Sequence, residues 1–142
     1  MDGYRFVQPV EVRFRDLDAI GHINNVVYLT YMESARIAWW VRVTGRPDFR
    51  DMTMILARTE IDYRHPATYG DRLEVGVRCA SMRRSSFVLE FRIQEQGSGR
   101  LVADARKVLV HYDYEAGRST PIPPDLRARI KAEDPEVRED PA

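Results

Sequence analysis

Residues 16–33 read Asp16-Leu17-Asp18-Ala19-Ile20-Gly21-His22-Ile23-Asn24-Asn25-Val26-Val27-Tyr28-Leu29-Thr30-Tyr31-Met32-Glu33. Two carboxylates, a glycine, a histidine and two asparagines fall within ten residues, and an apolar helical pattern follows at once. Asn24 or Asn25 can cap the helix, because its side-chain oxygen accepts from a free N–H of the first turn. The pattern runs from Asn25 to Val43 through Tyr28, Met32, Ala35, Trp39 and Trp40. Thr44-Gly45-Arg46-Pro47 then supplies a glycine stop with proline behind it. A helix apolar on most faces is one that other structure surrounds.

Working outward, residues 7–14 read as a strand, with Pro9 placing it at an edge or delaying its start. After the helix the period changes to two. Ile55, Ala57, Thr59, Ile61 and Tyr63 share one face, and Leu56, Arg58, Glu60, Asp62 and Arg64 the other. Leu73, Val75, Val77 and Cys79 continue the alternation, Phe87, Leu89, Phe91 and Ile93 form a third inward row, and residues 101–113 a last strand. Turns fall at 65–71, 81–86 and 96–99, and residues 121–132 hold a short helix. Residues 135–142 are charged and expected to fray, leaving 1–134 as one domain. The expected fold is α+β: one antiparallel sheet, solvated on one side, wrapped around one long central helix.

Composition narrows the function classes. The 142 residues suffice for one domain with its own core. Basic and acidic residues balance at 22 each, so no global field draws nucleic acid or a membrane surface, and no nucleic-acid motif is present. There is no signal-peptide pattern and no apolar run long enough to span a bilayer. The single cysteine, Cys79, forbids an internal disulfide and fits a cytoplasmic protein. Its place on the apolar side of a strand reads as a core thiol. His22, His65 and His111 are scattered, with no metal-ligand spacing, so no metal is expected.

The loop carries the chemistry. Asp18 is the first choice for a working carboxylate, with Gly21 after it letting a ligand approach the backbone. The alternative for Asp18 is a carboxylate that caps a turn. Asp16 reads more as a cap. His22 is placed either to orient Asp18 or to touch substrate, and Glu33 either to bond back into the loop or to pair with Arg36. The N–H of Asn25, at the positive end of the helix, suits an oxyanion.

The pattern Asp-x-Asp-x-x-Gly-His-x-Asn-Asn-x-x-Tyr-x-x-Tyr-x-Glu from Asp16 to Glu33 resembles the 4-hydroxybenzoyl-CoA thioesterase branch of the hotdog superfamily. Ile61-Asp62-Tyr63-Arg64-His65-Pro66-Ala67-Thr68-Tyr69-Gly70-Asp71 resembles that branch's second landmark, and Pro121-Ile122-Pro123 also fits. The resemblance implies a hotdog domain and acyl-CoA thioester hydrolysis. Asp18 would be nucleophile or general base, and the amide at Asn25 the oxyanion donor. It implies a homodimer or tetramer, with sheets joined edge to edge and sites at the interface. No cofactor is implied beyond the coenzyme A of the substrate. Arg83, Arg84 and Ser85 form a basic turn, either a solvated hairpin tip or a grip on coenzyme A phosphates or an acyl carrier protein. Asn25 departs from the aromatic or histidine common at its position. The Gly-His-x-Asn-Asn form is closer to acyl-carrier-protein thioesterases, whose loop triad is matched by Asp18 and His22 but not by Ile20. Carrier-protein substrates, a hydratase and a non-catalytic acyl-CoA-binding module remain as alternatives.

Overall fold

The computed structural model describes residues 1–141. Strand β1 (Phe6–Val10) leads through a short 3-10 turn at Phe14–Asp16 to helix α1 (Asn25–Thr44). Strands β2 (Met54–Tyr63), β3 (Leu73–Met82), β4 (Ser86–Glu95) and β5 (Leu101–Asp113) follow, with β6 (Arg118–Ser119), α2 (Pro124–Glu133) and β7 (Arg138–Glu139) behind them. The sheet order is β1-β3-β4-β5-β2, all antiparallel, with β6 added to β5 and β7 in parallel to β3.

Helix α1 begins where Asn24 Oδ1 accepts from Val26 N–H at 3.2 Å and ends where Gly45, at φ 70°, turns its N–H onto Val41 O at 2.7 Å. Its buried stripe of Tyr28, Met32, Ala35, Trp39 and Val43 packs on the inner row of β3 and β4, where Leu73, Val75, Val77, Phe87, Leu89, Phe91 and Ile93 are all buried. The sheet covers one side of the helix only; Val26 is 57% exposed, and Thr30, Glu33 and Ser34 are exposed as well.

Three sequence expectations change. Residues 11–14 leave the sheet, because β1 ends at Val10, and Phe14 stands in solvent. In β2 the pairing with β5 slips between Leu56 and Arg58. This bulge at Ala57 puts Leu56, opposite Leu109, on the helix side in place of Ile55. Nor is the tail loose: Arg138 and Glu139 pair with Ser81 and Met82, Asp140 N–H donates to Met82 O at 2.9 Å, and Glu139 meets Lys131 at 2.7 Å. Ala142 lies outside the described residues. The buried Asp134 carboxylate accepts from Trp39 Nε1 and Cys79 N–H, tying α2 to α1 and β3.

Candidate active site

The loop before α1 is coiled by its own backbone. Asp18 N–H donates to His22 O at 2.7 Å, and Gly21 N–H to Asp18 O at 3.1 Å. Gly21 takes φ 82°, a left-handed conformation that side chains resist. A Cβ there would meet no atom within 4 Å, so conformation rather than crowding calls for glycine. The segment after β2 clamps this coil. Thr68 Oγ1 donates to Gly21 O at 2.6 Å, and Ile23 N–H to Ala67 O at 2.7 Å.

The two loop carboxylates behave differently. Asp16 Oδ2 accepts from Tyr31 Oη at 2.6 Å and Arg13 N–H at 2.9 Å, and its main-chain carbonyl accepts from Asn24 N–H at 2.8 Å. Burial, and then the Asp16 carboxylate, pushes the Tyr31 phenol well above its ordinary pKa. Asp16 is an anchor. Asp18 is exposed and takes no side-chain donor: its Oδ1 accepts only from the main-chain N–H groups of Ile20 at 3.0 Å and His22 at 3.2 Å. Its Oδ2 accepts no hydrogen bond among the described residues.

Asn25 N–H, the first of α1, likewise has no acceptor among the described residues. Its carbonyl accepts from Tyr63 Oη at 3.0 Å, which draws the end of β2 against the helix start. The result is a cleft of about 300 Å³, walled by Asp18, His22 and Asn25 on one side and by Tyr63, Arg64 and His65 on the other. The three residues read as catalytic are thus brought together. His22 holds Asp18 through its main-chain N–H, and its imidazole makes no hydrogen bond among the described residues. Larger clefts lie elsewhere: one of about 540 Å³ beside β1 contains Asp16, and one of about 480 Å³ surrounds Arg78, Glu90 and Asp134. Chemistry outweighs volume here: of these three clefts, only the smallest sets a carboxylate, Asp18, beside Asn25 at the start of α1.

Sequence reasoning missed Tyr63, Arg64 and His65 as wall residues. The signal was the 61–71 stretch, whose position against the loop is set only by tertiary closure. Arg83, Arg84 and Ser85 lie at the far end of the sheet. Ser85 O accepts from His111 N–H at 2.8 Å, and His111 pairs with Met54, the opposite end of β2 from Tyr63. At about 3.3 Å per residue, β2 sets them about 30 Å from the Asp18 cleft within one chain. Arg83 instead borders a separate cavity with Arg58, Arg106 and Arg138. Glu33 pairs with Arg36 at 3.3 Å rather than with the loop. Cys79 is buried, and burial pushes its thiol pKa up, as expected of a core thiol. Among the described residues no group of three or more His, Cys, Asp or Glu side chains is placed to hold a metal, and no helix is long and apolar enough to cross a membrane.

Comparison with known proteins identifies the family. A family model described as the thioesterase-like superfamily matches residues 12–130. The chain is similar to a thioesterase of Thermus thermophilus crystallised with coenzyme A and Zn. Identity is 40%, the TM-score is 0.87, and 95% of this chain and 98% of that one are covered. It is 28% identical to the long-chain acyl-CoA thioesterase FadM of Escherichia coli K12, over 86% of this chain and 94% of the relative. It is 27% identical to the 1,4-dihydroxy-2-naphthoyl-CoA hydrolase of Synechococcus elongatus, over 89% of this chain and 94% of the relative.

Proposed function

The chain belongs to the thioesterase-like superfamily, and from that premise we propose that it hydrolyses acyl-CoA thioesters with Asp18 as the working carboxylate. The observation that carries this reading is a pair of groups in one cleft that have no partner among the described residues: an Asp18 oxygen and the Asn25 N–H at the positive end of a 20-residue helix. A thioester carbonyl already has a good leaving group. It needs a donor for its developing oxyanion and either a nucleophile or an activated water. Asn25 N–H serves as the donor. Asp18 Oδ2 has two routes open. In one it attacks the carbonyl carbon and expels the coenzyme A thiolate, leaving an anhydride that water cleaves. In the other it takes a proton from the water that attacks. His22 positions Asp18 through its main-chain N–H and leaves its imidazole on the cleft wall to contact substrate. No resident cofactor enters, since coenzyme A arrives as part of the substrate.

Asp18, His22 and Asn25 are exposed in the single chain, whereas oxyanion stabilisation is strongest where water is excluded. A second copy supplies the cover. The free edge of β2 carries exposed Ile55 and Leu56 and no proline, while the opposite edge strand, β1, is blunted by Pro9. Two-fold pairing of β2 edges is antiparallel, so the Met54 end of one copy lies beside the Tyr63 end of the other. That brings Arg83 and Arg84 of a second copy toward the Asp18 cleft, where coenzyme A phosphates need cations. The 40% identical relative that binds coenzyme A supports this choice of carrier.

Two measurements test the reading. Thiol release from acetyl-, benzoyl- and palmitoyl-CoA and from acyl carrier protein thioesters is expected for at least one CoA ester. Release from carrier protein alone would favour that alternative, and acyl-CoA binding without release would favour a non-catalytic module. Sedimentation at micromolar concentration is expected to give at least two chains; a mass of 16.5 kDa would contradict the shared site.

A further inference from the structure

On the side of α1 turned toward β5 and β2, Leu29, Glu33, Arg36 and Trp40 form one row at helical spacing. Across from it, β5 presents Lys107 and His111 on the same face as the buried Leu109. This row gathers nitrogens without acceptors. Arg36 Nε, Trp40 Nε1 and His111 Nδ1 are buried and unpartnered among the described residues, three of the four such side-chain atoms found there. Lys107 is 3% exposed and makes no hydrogen bond or ion pair among the described residues; its ammonium rests over the Phe91 ring at 5.1 Å. The carboxylate in the row, Glu33, is 61% exposed and bound to Arg36. Lys107 and Arg36 against Glu33 leave one net positive charge. Burial, then the nearby Arg36, lowers the Lys107 pKa to about 8, and Glu33 opposes the shift.

A buried cation without a counter-ion costs stability, as does a buried donor without an acceptor. The row is also continuous with the candidate active site. Tyr63, on the cleft wall, pairs with Ala103, and Lys107 lies four residues further along β5, about 13 Å away at strand spacing. The β2 side of this path, Leu56, Thr59 and Ile61, is uncovered or half-covered, with Leu56 44% exposed. By register, Tyr63, Ile61 and Thr59 step along β2 opposite Ala103, Ala105 and Lys107 of β5, so the same sheet face runs from the cleft wall to the Lys107 ammonium.

We propose that this path holds the acyl group, and that Lys107 receives a carboxylate at its far end, so that the enzyme selects thioesters of dicarboxylic acids. The proposal rests on the reading of the Asp18 cleft as the hydrolytic site. Lys107 is then a specificity residue, with Arg36 beside it adding to the positive field.

The test compares sebacoyl-CoA, which ends in a carboxylate, with decanoyl-CoA, which has the same chain length without it. The wild-type protein is expected to favour sebacoyl-CoA at least tenfold in kcat/KM. Lys107→Met is expected to erase that preference by losing sebacoyl-CoA hydrolysis while keeping or improving decanoyl-CoA hydrolysis, with a melting temperature no lower than wild type. A wild-type ratio near one, or a ratio the variant does not move, would overturn the proposal. So would a variant that changes only the dissociation of the oligomer, which would assign Lys107 to a contact between copies. If no thioester is cleaved, the hydrolytic reading fails separately and free sebacate decides the pocket. Thermal stabilisation by sebacate but not decanoate, lost in Lys107→Met, would retain it; no stabilisation would reject it.

Discussion

The two flanks of α1 differ in how completely this chain satisfies them. Toward β1, Tyr31 donates to Asp16, Gln8 meets Ser34 at 3.5 Å, and the Arg42 guanidinium lies 6.0 Å from the Phe6 ring centre. Toward β5 and β2, Arg36 Nε, Trp40 Nε1 and His111 Nδ1 have no partners among the described residues, and Leu56 and Tyr63 are exposed. One helix with one composition is settled where the chain meets itself and unsettled on the other side. Buried polar groups in native proteins are overwhelmingly paired, and the unsettled flank is the one to which the proposals above bring the acyl group and a second copy. The Asp18 cleft opens at its head.

Four substitutions sharpen or break this contrast. Asn25→Pro should act most strongly. Proline suits the first helical position, and neither the N–H nor the side-chain amide it removes makes a hydrogen bond among the described residues. The helix should survive, and turnover should fall by roughly a hundred- to a thousandfold, the scale of one oxyanion donor. Normal turnover in steady-state thiol release would remove Asn25 from the mechanism.

Lys107→Met should raise stability, and the gain should depend on pH. The folded-state pKa lies below the unfolded 10.5, so between about pH 8 and 10.5 the unfolded chain binds more protons and wild-type stability rises. The variant's advantage should therefore be full below pH 8, no more than about 3 kcal/mol, and vanish above pH 10.5. Urea melts at pH 7 and pH 10 measure it; a gap that does not narrow would mean Lys107 is not buried as a cation.

On the closed flank, Tyr31→Phe should cost about 2 kcal/mol, the range for a hydrogen bond to a charged group, with turnover nearly kept. Urea melts and steady-state kinetics on the same variant check this. Lost turnover with unchanged stability would make the Asp16 flank functional and erase the contrast. The smallest effect is expected of Arg83→Ala with Arg84→Ala, about 1 kcal/mol per phosphate contact, seen in KM rather than kcat and shrinking with salt. A pantetheine thioester, which lacks the phosphates, should be indifferent; equal impairment on both substrates would refute the phosphate role.

Much of this was legible in the chain. The helix from Asn25 and the inward rows of β3 and β4 follow from period alone, and the Asp18 loop from its residue types and spacing. What the sequence hid was tertiary. Ile55, Leu56 and Ala57 are all apolar, so nothing local tells which residue the bulge will skip. Tyr63 and His65 become site walls only when Thr68 and Ala67 clamp the loop. Arg83 reads as adjacent chemistry, but the β3–β4 hairpin turns at the opposite end of the sheet. Nothing local singles out Lys107, and only the β5 pairing places it among Leu89, Phe91 and Leu109.

In the proposed mechanism the Asp18 carboxylate performs the hydrolysis. Single-turnover release of coenzyme A from a cleaved acyl-CoA, in wild type and Asp18→Asn, tests it most directly. Asparagine keeps the shape and its oxygen can still accept from Ile20 and His22, so substrate binding should persist. Release should slow roughly a hundredfold or more, the scale of losing a general base or nucleophile. Release at a near-normal rate in Asp18→Asn would exclude Asp18 from the chemistry.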